Sequence, residues 1–219
     1  MRAGVPPDRT MRYAAQLLAS QQGIQARHGL LNAPHMADLV KLRGQLAAVA
    51  PAHIPHFDPL DGGTLARCLL LLDAPGRRAA DSGSAAFAGT GFVSRDNPDP
   101  SADNLRAALM DAAMPREATV IWNAVPWYIG TANKLAPTLA RNWHEARPAL
   151  RQLVALLPSL QVVVLLGRKA ERAEALLRAE FPRLLVLKCP HPGGQAYNHP
   201  HLRAKVHSEL RAAAVHLGV

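Results

Sequence analysis

A chain of 219 residues, 49% of them hydrophobic, is long enough to close one core, which argues against an intrinsically disordered segment. Its 25 Lys and Arg against 16 Asp and Glu give a formal charge of +9. That excess favours a polyanionic partner, because cations that neutralise phosphates release condensed counterions. Two cysteines, Cys68 and Cys189, are too few for a four-cysteine zinc site or an iron–sulfur cluster held by thiolates alone. Both sit in apolar runs and read as small buried hydrophobes. No run is long enough to span a membrane and no apolar leader follows Met1, so the expectation is an intracellular, cytoplasmic protein in a reducing compartment.

Taken in chain order, residues 11–21 and 36–49 carry apolar side chains at helical spacing. A Pro- and Gly-rich stretch over 51–64 predicts an extended, turning segment. An apolar run follows at 68–72, with further runs at 119–124, 161–167 and 184–189. Continuous Val, Leu and Ile without alternation predicts strands covered on both faces, as in a parallel sheet. Helices are predicted between them at 104–113, 147–157 and 169–180, with a last one at 202–217; Asp99 or Ser101 is placed to cap the first of these. Strands alternating with helices predict a three-layer α/β/α sandwich with a mainly parallel sheet of about four strands. We expect one domain over residues 1–219, its first 50 residues a helical part packed on the α/β core. Trp122, Trp127 and Trp143 read as packing residues.

Ligands of such folds bind at the carboxyl ends of the strands. The residues found there are Asp73-Ala74-Pro75-Gly76, Asn123-Ala124-Val125-Pro126, Gly167-Arg168-Lys169 and His191-Pro192-Gly193-Gly194. Each has a plain structural reading: Asp73 as a turn cap, Asn123 as a turn former, His191 as a structural histidine and Phe92 as core. The histidines at 191, 199, 201 and 207 match no familiar zinc spacing, so neither metal nor cofactor is expected. No Gly-x-Gly-x-x-Gly or Walker-type loop is present, which disfavours a nucleotide-binding protein.

Leu72-Asp73-Ala74-Pro75-Gly76 is similar to the first motif of the uracil-DNA glycosylase superfamily, a Gly-x-(Asp/Ala/Asn)-Pro-x turn. Asn123-Ala124-Val125 resembles its Asn-Ala-Val segment, and His191-Pro192-Gly193-Gly194 its His-Pro-Ser-Pro loop. Gly91-Phe92, followed by Pro98-Asp99-Pro100-Ser101, resembles the stretch where a Phe stacks on uracil and a turn opens the next helix. The resemblance implies a monomeric, metal-free enzyme that removes uracil from DNA in base-excision repair, with free uracil as product. His191 would donate a hydrogen bond to uracil O2, Asn123 would pair with N3–H and O4, and Phe92 would stack on an extruded base. Ala74, Pro75 and Gly76 would surround the base. Asp73 would orient water or stabilise the cationic sugar, although the best-known branch carries its catalytic Asp at the position of Ala74; Asp81 is the substitute carboxylate.

The same resemblance puts Gly193, Gly194, Gln195 and Tyr197 on DNA; Arg77, Arg78, Arg95, Lys134, Arg168 and Lys169 follow strand ends or fall in nearby loops, where they are expected to grip phosphates of the DNA. Gly76 stands where that branch has a Tyr that blocks the methyl of thymine. Gln195 replaces a Leu that wedges into duplex, so single-stranded DNA is the expected better substrate, with Tyr197 available to stack. Two alternatives stay open: a glycosylase for hypoxanthine or xanthine, and a catalytically weak nucleic-acid-binding relative.

Overall fold

The computed structural model describes residues 18–80, 89–130 and 136–219. Most of the predicted helix at 11–21, together with Asp81 and Lys134, lies outside them. Four parallel strands form the main sheet: β2 (Cys68–Leu72), β4 (Thr119–Asn123), β5 (Val162–Leu166) and β6 (Leu185–Cys189), in the order β4-β2-β5-β6. β2, β4 and β5 are almost wholly buried, as expected of runs with no polar face. Their registers bring Leu72 opposite Asn123 and Leu166 opposite Cys189, so the strand ends lie side by side. A second sheet, not foreseen, pairs two-residue strands in parallel: β1 (His56–Phe57) and β3 (Phe92–Val93). Runs that short have no periodicity to read.

The connection from β2 leads outward through helix α3 (Pro100–Asp111) to β4. The chain then crosses back through α4 (Ala140–Ala155) to β5, and continues through α5 (Glu174–Glu180) to β6. Right-handed crossovers running in opposite directions put α3 on one face and α4 with α5 on the other. The last helix, α7 (Pro200–Leu217), packs against α3, β5 and β6, completing three layers. The reversal around β2 leaves a crevice at the carboxyl ends of the strands.

Helix starts differ from the sequence expectation: α5 begins at Glu174, after a 3-10 turn over Ala170–Ala173, rather than at 169, and the last helix begins at Pro200 rather than 202. α3 begins at Pro100, since the Asp99 carboxylate accepts from the amides of Ser101 and Ala102 and Pro is compatible with the first turn. α4 begins at Ala140, and Pro148 lies inside it rather than near its start.

Ahead of the sheet come α1 (Gln21–Gly29) and α2 (Ala37–Val49), of which α2 lies against the core through Leu39 and Leu42. Arg27 of α1 enters a buried ionic network: it pairs with Asp58 and with Asp96 (3.0 Å), while Arg116 reaches Asp58 (2.7 Å), Asp61 (3.0 Å) and Asp96 (2.7 Å). Ser94 donates to Asp58, and Arg95 donates to Thr119 at the start of β4. Burial would raise the Asp58 carboxyl, but Arg116 and Arg27 hold it below the ordinary carboxylate range. Burial also pushes Asp61 up to about 6, against the pull of Arg95 and Arg116. Arg95 is thus a structural cation only 5% exposed, and out of reach of a phosphate. Cys68 and Cys189 are buried free thiols, each pushed up to about 12 by desolvation, and Trp122 stacks on Phe57 in the core.

Candidate active site

A cleft of about 680 Å³ opens at the carboxyl ends of β2, β4, β5 and beyond β6. Its residues come from the turn after β2 (Asp73, Ala74, Pro75, Gly76), from Asn123, and from the segments around Ser94, Asp99, Arg168 and His191. Arg77, Arg78, Arg168 and Lys169 also line it, and all four are exposed at its rim. Five separate stretches of sequence meet here, four of them because the parallel strands of the main sheet end together.

Asn123 is the last residue of β4 and only 3% exposed. Its side-chain Nδ2 is buried and makes no hydrogen bond among the described residues. Burying an amide donor without a partner costs about 1–3 kcal/mol. The residue lines the cleft, so a ligand bound there is one source of the missing acceptor.

Gly193 N–H donates to His191 Nδ1 at 2.8 Å, so Nδ1 is the acceptor nitrogen and the proton resides on Nε2. The ring sits at the cleft edge, with one side open to solvent. Desolvation holds its pKa below the ordinary histidine value against the opposing pull of Asp73 and Asp99, which favours the neutral ring. Two glycines make room for it. At Gly167, φ +98°, a Cβ would stand 3.0 Å from the His191 Cβ; at Gly193 it would stand 2.8 Å from Nδ1.

Asp73 directly follows β2. Its Oδ2 accepts from Thr138 and lies 3.7 Å from Lys169 Nζ, while Oδ1 makes no hydrogen bond among the described residues. Thr138 and Lys169 thus hold one end of the carboxylate. Asp99, read from sequence only as a cap, is a second carboxylate of the same cleft. Its Oδ1 caps α3 and its Oδ2 is unbonded among the described residues. Thr138 and the double use of Asp99 were missed, since neither belongs to a strand-end motif.

Three expectations take a different form. Phe92 is fully buried and does not line the cleft: its ring packs against His28 (4.7 Å between centroids) and His56 (5.7 Å). It backs the wall that Val93 and Ser94 form. Tyr197 also lies outside the lining, its hydroxyl 2.7 Å from His207 Nε2, so the ring is tethered rather than free. Of the His191 turn, Pro192 and Gln195 line the cleft, whereas Gly193 and Gly194 are outside its lining. Among the described residues no group of His, Cys, Asp and Glu is arranged to hold a metal ion, and no helix is long and apolar enough to cross a membrane.

Parallel strands covered on both faces, with a cation-rimmed cleft at the switch point, define an α/β/α protein whose ligand site is built from strand-end turns. The family model of the uracil DNA glycosylase superfamily matches residues 61–213, more than half of the chain, and the chain belongs to that family of DNA glycosylases. No curated protein matches in sequence. Among solved structures, SMUG2 of Pedobacter heparinus is similar with a TM-score of 0.50 at 14% identity, covering 70% of this chain and 77% of that one. A Methanosarcina acetivorans protein, described as a candidate uracil DNA glycosylase, gives 0.44 at 17% identity over 71% of this chain and 93% of its own. The first likeness agrees with the fold.

Proposed function

We propose that the protein hydrolyses the N-glycosidic bond of deoxyuridine in DNA, without metal or cofactor. The observation that carries this reading is the buried Nδ2 of Asn123, without a partner among the described residues, in the same cleft as His191, whose Nδ1 accepts from Gly193. In this reading Asn123 donates from Nδ2 to uracil O4 and accepts N3–H at Oδ1. Cytosine, with an amino group at that edge and no N3–H, leaves donors facing donors. His191 donates its Nε2–H to O2 as negative charge develops on the departing base. The C1′–N1 bond breaks with both electrons passing to the base, and the sugar becomes oxocarbenium-like. Asp73 Oδ1 orients the water that adds to C1′ and takes its proton. Arg77, Arg78, Arg168 and Lys169 hold phosphates at the rim. Gln195, exposed beside the cleft, is a poor wedge for duplex, which supports a preference for single-stranded DNA.

A second reading is supported by the space at Gly76, where an added Cβ would meet nothing within 4 Å. That room suits a larger deaminated base, hypoxanthine or xanthine, whose edge shares part of uracil's pattern. The test is strand cleavage at a single uracil, hypoxanthine or xanthine in single- and double-stranded oligonucleotides, with excess EDTA. We expect uracil release that survives EDTA and is faster on single strands. Faster release of a purine base would favour the second reading. DNA binding with no base released would leave a nucleic-acid-binding relative.

A further inference from the structure

The reaction leaves unused a contact that α3 makes with the back of the His191 turn. Asn104, on the second turn of α3, donates from Nδ2 to the carbonyl oxygen of Pro192 at 2.7 Å. That oxygen belongs to the same peptide group as the N–H of Gly193, which donates to His191 Nδ1 at 2.8 Å. A peptide group is planar and its C=O and N–H point in opposite directions. Fixing the oxygen from one side therefore aims the N–H from the other. Asn104, the 192–193 peptide and the His191 ring form one line of hydrogen bonds running from α3 into the cleft.

The turn's own backbone bonds fall on the next carbonyl, Gly193 O, which accepts from the amides of Ala196 (3.1 Å) and Tyr197 (2.9 Å), so the 192–193 plane is held by Asn104. Gly193 has no side chain to restrain it, and a Cβ there would crowd His191 Nδ1 and stand 3.2 Å from Ser101 Oγ. Farther along, the short helix α6 (Gly194–Tyr197) is tied separately. Tyr197 Oη meets His207 Nε2 at 2.7 Å, and His207 Nδ1 meets Asp111 Oδ2, at the end of α3, at 2.8 Å. Arg211 donates to the same Asp111 oxygen at 2.6 Å. With α6 held by that relay, loss of the Asn104 bond frees the peptide to rotate without unfastening the turn.

We propose that Asn104 is a positioning residue that sets the tautomer of His191 by orienting the Pro192–Gly193 peptide. When the N–H points at Nδ1, the ring proton must sit on Nε2, where it faces the cleft. When the peptide flips, its carbonyl faces Nδ1 and favours the opposite tautomer, in which Nε2 is an acceptor and repels a carbonyl oxygen. The consequence for catalysis rests on the glycosylase reading above; the tautomer itself does not.

The test uses the full chain with 15N-labelled histidine, read by long-range 1H–15N correlation of the His191 ring. Wild type is expected to show a pyridine-like Nδ1 and a protonated Nε2. Asn104→Asp keeps the shape but loses the donor, and Asn104→Leu removes all polarity. Both should shift the ring toward a mixture of tautomers, lower kcat for uracil release about tenfold and leave KM for the oligonucleotide within about twofold. Unaltered ring nitrogens in a folded variant would overturn the proposal, whichever base the enzyme releases. A wild type that releases no uracil would instead refute the reading of the site, and the ring comparison would still decide the role of Asn104.

Discussion

The two polar regions of this protein are built on opposite terms. Around the start of β4, three aspartates and three arginines are sealed together, with Asp58 and Asp61 wholly buried and each carboxylate within reach of at least two cations or donors. At the carboxyl end of the same strand, Asn123 holds a buried donor with no partner, and Asp73 and Asp99 each keep one oxygen unbonded among the described residues. Ser94 belongs to both, donating to Asp58 while lining the cleft. The difference separates a region whose charges are paired by the fold, with Asp61 Oδ2 and Arg95 Nε the atoms left without a hydrogen bond among the described residues, from one that lines a cleft and can take its partners from a ligand. Stability should depend on the first and activity on the second, and each substitution below is chosen to test whether they separate.

The largest effect is expected at the closed end. Arg116→Ala strands three carboxylates that it now bonds, and breaking one partner out of a buried ionic cluster destabilises by about 3–5 kcal/mol. Denaturant unfolding should show that loss, while kcat of the remaining folded protein changes little. Next come His191→Ala and Asn123→Ala, which should each lower the uracil-release rate about 10²- to 10³-fold, the scale of a lost transition-state donor. Thermal unfolding should place both within a few degrees of wild type; a large stability loss at Asn123 would break the division between the two ends. Smaller effects are expected at the rim. Arg168→Ala should weaken DNA binding without regard to the base and reduce the slope of log K against log salt by about one.

The smallest expected effect concerns His56, which lies beside Phe92 in neither region. Desolvation chiefly, with Arg43, His28 and His53 adding to it, lowers its pKa from 6.5 to about 4. A histidine depressed in the folded state binds protons more readily when unfolded. Its share of stability is therefore complete above pH 6.5 and is lost as pH falls toward about 4. His56→Gln should flatten the decline of the melting temperature across that window, and an unchanged slope would point to other titrating groups.

Much of the fold was legible because β2, β4 and β5 are uninterrupted apolar runs, and such runs leave few alternatives to a covered parallel sheet. The strand-end rule then placed Asp73, Asn123, Arg168 and His191 in one cleft, as the structure does. What could not be read depends on contacts distant in sequence. Arg27 and Asp96 are 69 residues apart, and Asn104 and Pro192 are 88 apart, so no local pattern announces either pair. Arg95 looked like any loop cation until the fold buried it beside Asp61. Motif alone places Phe92 on the base, yet the fold packs its ring against His28 of α1 and His56, contacts that no local pattern announces.

The most direct test of the central claim is single-turnover release of uracil from a single-stranded oligonucleotide in excess EDTA, comparing wild type with Asn123→Ala. Metal-independent release that falls about 10²-fold or more in the variant, with its fold intact, is the predicted result. Equal rates from the two proteins, or no uracil released by wild type, would contradict the assignment of the buried Asn123 amide as the reader of uracil.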